Sequence, residues 1–193
     1  MKRIAIFASG SGTNAEQIIR HFKANGKAMT EVVMCNNPKA VVIERARVLH
    51  TPAMVFTRQE FYDSPKIEKL LERLKIDLIV LAGFLWLVPE SLIKKFPGRI
   101  INIHPALLPQ FGGKGYYGSK VHEEVIRSGA KKSGITIHYV NEKFDAGEII
   151  FQATCDIDAN ETPQSLAAKV HKLEHEHYPR VIEELLENDS GSV

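Results

Sequence analysis

The chain has 193 residues, 44% of them hydrophobic and 25% charged, with a formal net charge of +2 at pH 7. That is enough for one domain with its own core, and the composition argues against a disordered chain, a membrane-embedded one and a broad basic face for nucleic acid. An anionic partner must then be held by local features rather than by net charge.

The N-terminal Met1-Lys2-Arg3 followed by apolar Ile4 to Ala8 has the outline of a signal peptide, but the run is too short and Ser9-Gly10-Ser11-Gly12 breaks it. No stretch approaches membrane-spanning length, so no membrane partner and a cytoplasmic location are expected. Ile4 to Ala8 instead reads as a strand buried on both faces. A helix is expected from about Asn14 to Lys23, capped by Thr13 or Asn14 with Glu16 or Gln17 completing a capping box. Val32 to Cys35 reads as the next strand. Asn37-Pro38 then predicts a cap and first helical position for a helix reaching Leu49. Ala53 to Phe56 is a short strand, Lys66 to Leu74 a helix with Ile67, Leu70, Leu71 and Leu74 on one stripe, and Ile76 to Ala82 an apolar strand closed by Gly83. This alternation calls for a parallel sheet covered by helices on both faces.

A short helix at Pro89 to Lys95 leads to the strand at Ile100. Beyond it, Gly112 to Gly115 reads as a flexible loop, His122 to Ser128 as a helix, and Ile135 to Val140 and Ile149 to Cys155 as strands that could pair antiparallel. Thr162-Pro163 opens a helix to about Glu187, and the tail from Asn188 to Val193 reads as frayed. The expected class is α/β: a Rossmann-like, mostly parallel twisted sheet flanked by helices, with some antiparallel strands in the C-terminal half. No linker divides residues 1–193, so a single domain is expected. The two cysteines, Cys35 and Cys155, lack metal-ligand spacing and read as two buried free thiols.

Three stretches carry polar groups suited to chemistry. Asn102 and His104 share a face of the Ile100 strand just before Pro105. An amide that donates without ionising beside an imidazole that exchanges protons near neutrality suits a reaction that develops an oxyanion and moves a proton. The same pair could be a strand end with two hydrogen-bonded polar side chains. Ser9 to Asn14 joins a strand to a helix, and the amides of Gly12, Thr13 and Asn14 would face a phosphate at the helix N-terminus. The loop is no Walker A sequence, and Ala15 stands where a dinucleotide fingerprint has its third glycine. Asp145, in a turn before a strand, could fold back on His104 and raise its pKa, or be a turn residue only.

Ala82 to Val88, at a strand's C-terminal end, could line a slot for a flat ring, although Trp86 by itself suits a core position. His171 and His175, four apart beside Glu174, have the spacing of a metal pair but no obvious third ligand and no HExxH order, so a solvated or partly packed helix face is expected and no metal.

Together these motifs resemble the folate-dependent glycinamide ribonucleotide formyltransferases of the formyltransferase superfamily. The matching residues are Ser9-Gly10-x-Gly12-Thr13-Asn14, Leu81-Ala82-Gly83-Phe84, Asn102-x-His104-Pro105-x-Leu107-Leu108-Pro109, Gly134-Ile135-Thr136-Ile137-His138 and Asp145-x-Gly147. They run in the family's order over nearly the whole chain. The resemblance implies transfer of a formyl group from 10-formyltetrahydrofolate to the amine of the ribonucleotide, in purine biosynthesis, with no metal. It implies Asn102, His104 and Asp145 as the catalytic group, with Thr136 helping to place a water or Asn102. It implies Gly12, Thr13, Asn14 and Glu174 on the ribonucleotide, with the N-terminal half taking the phosphate and the C-terminal half completing the folate site. It implies Arg58, or its neighbour Gln59, and Leu85, Trp86, Leu87 and Val88 on the folate, with Asn102 between the two ligands. Trp86 stands where many members have arginine, the Gly112 to Tyr117 loop differs from the shorter family loop, and His171 stands where some members have lysine near the phosphate. The partners expected are the two small molecules, with no nucleic acid, for a monomer or weak homodimer. A formyltetrahydrofolate deformylase and a non-catalytic nucleotide-binding module are the alternatives.

Overall fold

The computed structural model describes residues 1–188. In chain order the elements are β1 (Lys2–Ala8), α1 (Thr13–Asn25), β2 (Ala28–Cys35), α2 (Val41–Val48), β3 (Ala53–Val55), α3 (Arg58–Tyr62), α4 (Lys66–Arg73), β4 (Leu78–Leu81), α5 (Glu90–Lys95), β5 (Ile100–His104), α6 (Ser119–Arg127), β6 (Lys132–Tyr139), β7 (Ile149–Asp156) and α7 (Pro163–Asn188). One seven-stranded sheet has the order β3-β2-β1-β4-β5-β6-β7. The first five strands are parallel, and β5–β6 and β6–β7 pair antiparallel.

Period-2 alternation sorts β1 between two cores. Ile4 and Ile6 face the layer of α1, α2, α6 and α7, where Ile18, Phe22, Val121 and Leu166 are buried. Ala5 and Phe7 face α3, α4 and α5, packing with Phe61, Leu71 and Leu92. Strand order reverses between β1 and β4, because β2 and β3 extend the sheet to one side of β1, and β4 and β5 to the other. The loops at the carboxyl ends of β1, β4 and β5 therefore open onto one crevice, where open α/β sheets bind ligands.

Several local expectations are corrected. Helix α1 begins at Thr13 with Gly12 as its cap, in a left-handed conformation (φ 73°) and with no side-chain cap bond, in place of a Thr13 or Asn14 cap. Asn37-Pro38 does not start α2. The Asn37 side chain accepts from the Lys39 amide at 3.0 Å and its carbonyl from the Ala40 amide at 3.1 Å, a turn that delays the helix to Val41. Helix α3 was not foreseen. It is too short to show periodicity, and its one signal is the capping box in which Thr57 Oγ1 accepts the Glu60 amide (3.2 Å) and the Glu60 carboxylate accepts the Thr57 amide (2.8 Å). Helix α6 starts at Ser119, ahead of the expected His122. Cys35 is buried, but Cys155 is only half-buried, because β7 is an edge strand with an alternately exposed face. Of the expected frayed tail, Asn188 ends α7 and 189–193 lie outside the described residues. No described helix is long and apolar enough to cross a membrane.

Candidate active site

The loop after β1 is shaped by its neighbours. A Cβ on Gly12 would come within 2.3 Å of Val42 Cγ2, and its φ is positive, so only glycine fits there. Helix α2 clasps the loop from outside: the Val42 amide donates to the Gly10 carbonyl (3.1 Å) and Arg45 Nε to the Ser11 carbonyl (2.8 Å). With no side chain capping α1, its first-turn amides at Thr13 and Asn14 remain directed at the crevice, the geometry that attracts a phosphate. The Asn14 side chain donates from Nδ2 to Glu174 Oε2 at 3.1 Å.

Strands β5 and β6 bring the polar side chains together by register. Asn102 lies opposite His138 and His104 opposite Thr136. His138 Nδ1 donates to its neighbour's carbonyl, Tyr139 O (2.7 Å), which leaves Nε2 to accept from Asn102 Nδ2 (3.1 Å). Thr136 is corrected from its expected role. Its hydroxyl donates to Ala106 O (2.7 Å) and accepts from the Leu108 amide (2.9 Å) and Gln152 Nε2 (2.8 Å), so its capacity is used in pinning the turn after His104. It reaches neither Asn102 nor the cavity wall.

Asp145 does fold back. Its Oδ2 lies 3.5 Å from His104 Nδ1 and accepts the Gly113 amide at 2.9 Å, while Oδ1 lies 3.4 Å from Asn102 Nδ2. On the other side of the ring, His104 Nε2 donates to the Phe111 carbonyl at 2.7 Å. Phe111 and Asp145 both hold positive φ, 54° and 52°, a backbone strain that non-glycine residues tend to carry at functional sites. Gly147 closes the turn, since a Cβ there would strike Tyr139 O at 1.7 Å.

His104 is only 3% exposed. Burial pushes its pKa down, and the Asp145 carboxylate and Phe111 carbonyl pull it back up without cancelling that effect. Asp145 raises the His104 pKa in the expected sense, but desolvation is larger and the net direction is down. Burial alone would raise the Asp145 carboxyl, yet His138, the His104 ring and the Gly113 amide outweigh it and hold it low. A carboxylate at one nitrogen and a carbonyl at the other match an imidazolium, which donates from both.

One cavity of about 630 Å³ joins these groups. That is within the range of small-molecule sites. Gly10 to Asn14 and Glu174 line one end, Asn102, His104 and Asp145 the middle, and Leu85 to Val88 with Phe144 the other. The apolar end suits a flat ring. Its loop is held by Ser9 Oγ, which accepts the Leu85 amide (3.0 Å), and by Tyr62, whose hydroxyl donates to Leu87 O (2.8 Å). Trp86 is half-buried and packs on Phe56, Phe61, Tyr62 and Phe84. Arg58 is exposed and stands outside the wall, its guanidinium 5.6 Å from the Trp86 ring and 4.8 Å from that of Tyr62. It meets the apolar end through Trp86 and through Tyr62, which holds Leu87, and Gln59 is also exposed.

At the other end Glu174 is 4% exposed and accepts both Asn14 Nδ2 and His171 Nδ1 (2.7 Å). The Glu174 hydrogen bond raises the His171 pKa, favouring a cation beside the α1 N-terminus. His171 and His175 stack at 6.3 Å, and no group of three or more His, Cys, Asp or Glu able to hold a metal occurs among the described residues.

Sequence reasoning gave no role to His138, His122, Ser9 or Tyr178. His138 had a signal: it alternates with Thr136 on one strand, facing the strand that carries Asn102. Tyr178, fully buried, donates to Leu81 O (2.9 Å) and ties α7 to the end of β4, which fixes Glu174 one turn earlier. That bond spans too much sequence for any local pattern to announce it.

The formyl transferase family profile matches residues 2–182. The phosphoribosylglycinamide formyltransferase of Bacillus subtilis is 40% identical over 96% of this chain and 95% of its own length. Among solved structures, phosphoribosylglycinamide formyltransferase from Anaplasma phagocytophilum superposes with a TM-score of 0.88 at 32% identity, covering 97% of this chain and 88% of that one. The enzyme of the same name from Bacillus halodurans gives 0.85 at 38% identity, covering 96% and 95%.

Proposed function

Because this chain belongs to the formyl transferase family, we propose that it transfers the formyl group of 10-formyltetrahydrofolate to the amine of 5′-phosphoribosylglycinamide, a step of purine biosynthesis. The observation that carries the reading is the cavity itself: an anion-binding helix terminus at one end, an apolar slot at the other, and a buried Asn102–His104–Asp145 group between them. The folate supplies a formyl carbon already activated by its bond to N10. In the reaction a bond forms from the substrate amine to that carbon, the carbon–N10 bond breaks, the amine loses a proton and N10 gains one.

The chain's own groups divide this work. The Gly12, Thr13 and Asn14 amides bind the phosphate, and Glu174 with His171 binds the ribosyl portion next to it. Leu85, Trp86, Leu87 and Val88 bind and orient the pterin, with Arg58 bracing Trp86 from outside. Asn102 and the charged form of His104 offer hydrogen bonds to the negative charge that develops on the formyl oxygen, a contribution of about 3–4 kcal/mol for a well-aimed donor. His104 also carries the proton destined for N10. Asp145 holds the ring and favours its charged form, and Thr136 acts as a positioning residue for the turn after His104. The Phe111 carbonyl occupies Nε2, so proton delivery from that nitrogen requires the Phe111 segment to give way.

A non-catalytic nucleotide-binding module would have no use for a buried imidazole gripped by a carboxylate. One domain spanning the chain, acting in the cytoplasm as a monomer or weak homodimer on two small molecules and no nucleic acid or membrane, completes the reading. The test is product identity: incubation with both substrates should give a ribonucleotide heavier by one formyl group in mass spectra.

A further inference from the structure

Four histidines border the cavity: His104, His122, His138 and His171. His104 and His138 are deeply buried, and both ring nitrogens of each face a polar partner. His171 is exposed, with Nδ1 on Glu174. His122 differs from all three. It projects from α6, is 4% exposed, and its Nδ1 is shut off from solvent with no hydrogen-bond partner among the described residues. Its ring lines the same cavity as His171, Glu174 and His104 and interacts electrostatically with all three. It therefore belongs to the one cavity that holds both the proposed ribosyl-binding groups and the group that does the chemistry.

A buried imidazole with an unmet nitrogen carries a desolvation cost that a hydrogen-bonding partner relieves. The neighbours do not explain it, since Glu174 already takes Asn14 and His171. Burial keeps the His122 ring neutral at physiological pH, so it suits an uncharged donor or acceptor rather than a phosphate.

We propose that His122 is a further substrate-positioning residue, whose ring hydrogen-bonds an uncharged hydroxyl or amide of the ribosyl-glycinamide portion of the ribonucleotide and so aims the amine at His104. This rests on the function proposed above. The bond is made to one substrate only, at a point between its phosphate and its reacting nitrogen. On this proposal the cosubstrate, at the Leu85 to Val88 end, is bound independently of His122.

The test is steady-state kinetics of His122→Phe and His122→Asn with both substrates varied. Asn presents a polar atom near the position of Nδ1, whereas Phe keeps the ring and removes the nitrogens. The expected result is a KM for the ribonucleotide raised on the order of tenfold in His122→Phe, the worth of one ordinary hydrogen bond. The folate KM should stay within twofold, and His122→Asn should recover most of the loss. A ribonucleotide KM unchanged within twofold in His122→Phe would overturn the proposal. So would equal rises in both KM values, or a loss that His122→Asn shares in full with a lowered melting temperature, since these mark a packing role. Ribose 5-phosphate as a competitive inhibitor separates the two sources of the bond: weaker inhibition of His122→Phe assigns it to a ribose hydroxyl, and unchanged inhibition with a raised ribonucleotide KM assigns it to the amide. Wild-type protein without transferase activity would sink the functional reading itself, a result distinct from any of these.

Discussion

Asn102 Nδ2 donates to His138 Nε2 at 3.1 Å, across the antiparallel β5–β6 pair. The Tyr139 carbonyl fixes the His138 tautomer, and that tautomer fixes which way the Asn102 amide faces. The reversed amide would set Oδ1 against the Asp145 carboxylate, where Nδ2 now lies 3.4 Å away. Of the two Nδ2 hydrogens, the one on His138 is firmly held and the one near Asp145 is loosely held. The second is the one an oxyanion can take without breaking the bond to His138.

Two variants separate these contributions. Asn102→Ala should lower kcat about 10²–10³-fold, the usual cost of removing an oxyanion donor. His138→Leu, which leaves the donor present but unaimed, should lower kcat about tenfold, the worth of one ordinary hydrogen bond. Both should change KM for either substrate by no more than a few-fold, measured under steady-state conditions.

Asp145→Asn should move the pH profile in a defined direction. His104 is pushed down by burial and partly restored by Asp145. Removing the carboxylate leaves burial less opposed, so the His104 pKa falls further. A reaction that needs the proton on His104 loses activity as pH rises through that pKa. The alkaline limb of the kcat profile should therefore shift to lower pH in Asp145→Asn, with a reduced plateau, also because the Gly113 amide loses a charged acceptor. An alkaline limb at the wild-type pH would count against the dyad.

Tyr178→Phe tests how α7 is held. The hydroxyl is buried and donates to Leu81 O, so its removal strands that carbonyl and should cost about 1 kcal/mol in urea unfolding. Glu174 lies one helical turn away on the same face. The variant should also raise the ribonucleotide KM a few-fold while leaving the folate KM near wild type.

The parts of the fold that local pattern encodes were legible in the sequence. Ile4 to Ala8 and the Ile100 strand announce themselves as apolar runs, and the antiparallel pairing of the second half followed from its change of character. Features set by packing were not. Gly12 caps α1 because Val42 leaves no room for a Cβ, a contact made by another helix. Asn37-Pro38 looked like a helix start, but the Asn37 side chain closed a local turn first. At the site, Asn102, His104 and Asp145 were found by motif and converge, whereas Thr136 was given a role that its backbone partners preclude. The net direction of the His104 shift was not legible, because a sequence names the carboxylate beside the ring but not how deeply the ring is buried. His122 escaped for the same reason, since an unmet hydrogen bond exists only in three dimensions.

The central claim is that the cavity joins an amine to a formyl donor, rather than binding a nucleotide or hydrolysing the folate. Its most direct test follows folate absorbance on mixing the chain with 10-formyltetrahydrofolate, with and without glycinamide ribonucleotide. The account predicts conversion to tetrahydrofolate that depends on the ribonucleotide and is stoichiometric with it. Conversion at the same rate without ribonucleotide, or no conversion with both present, would contradict it.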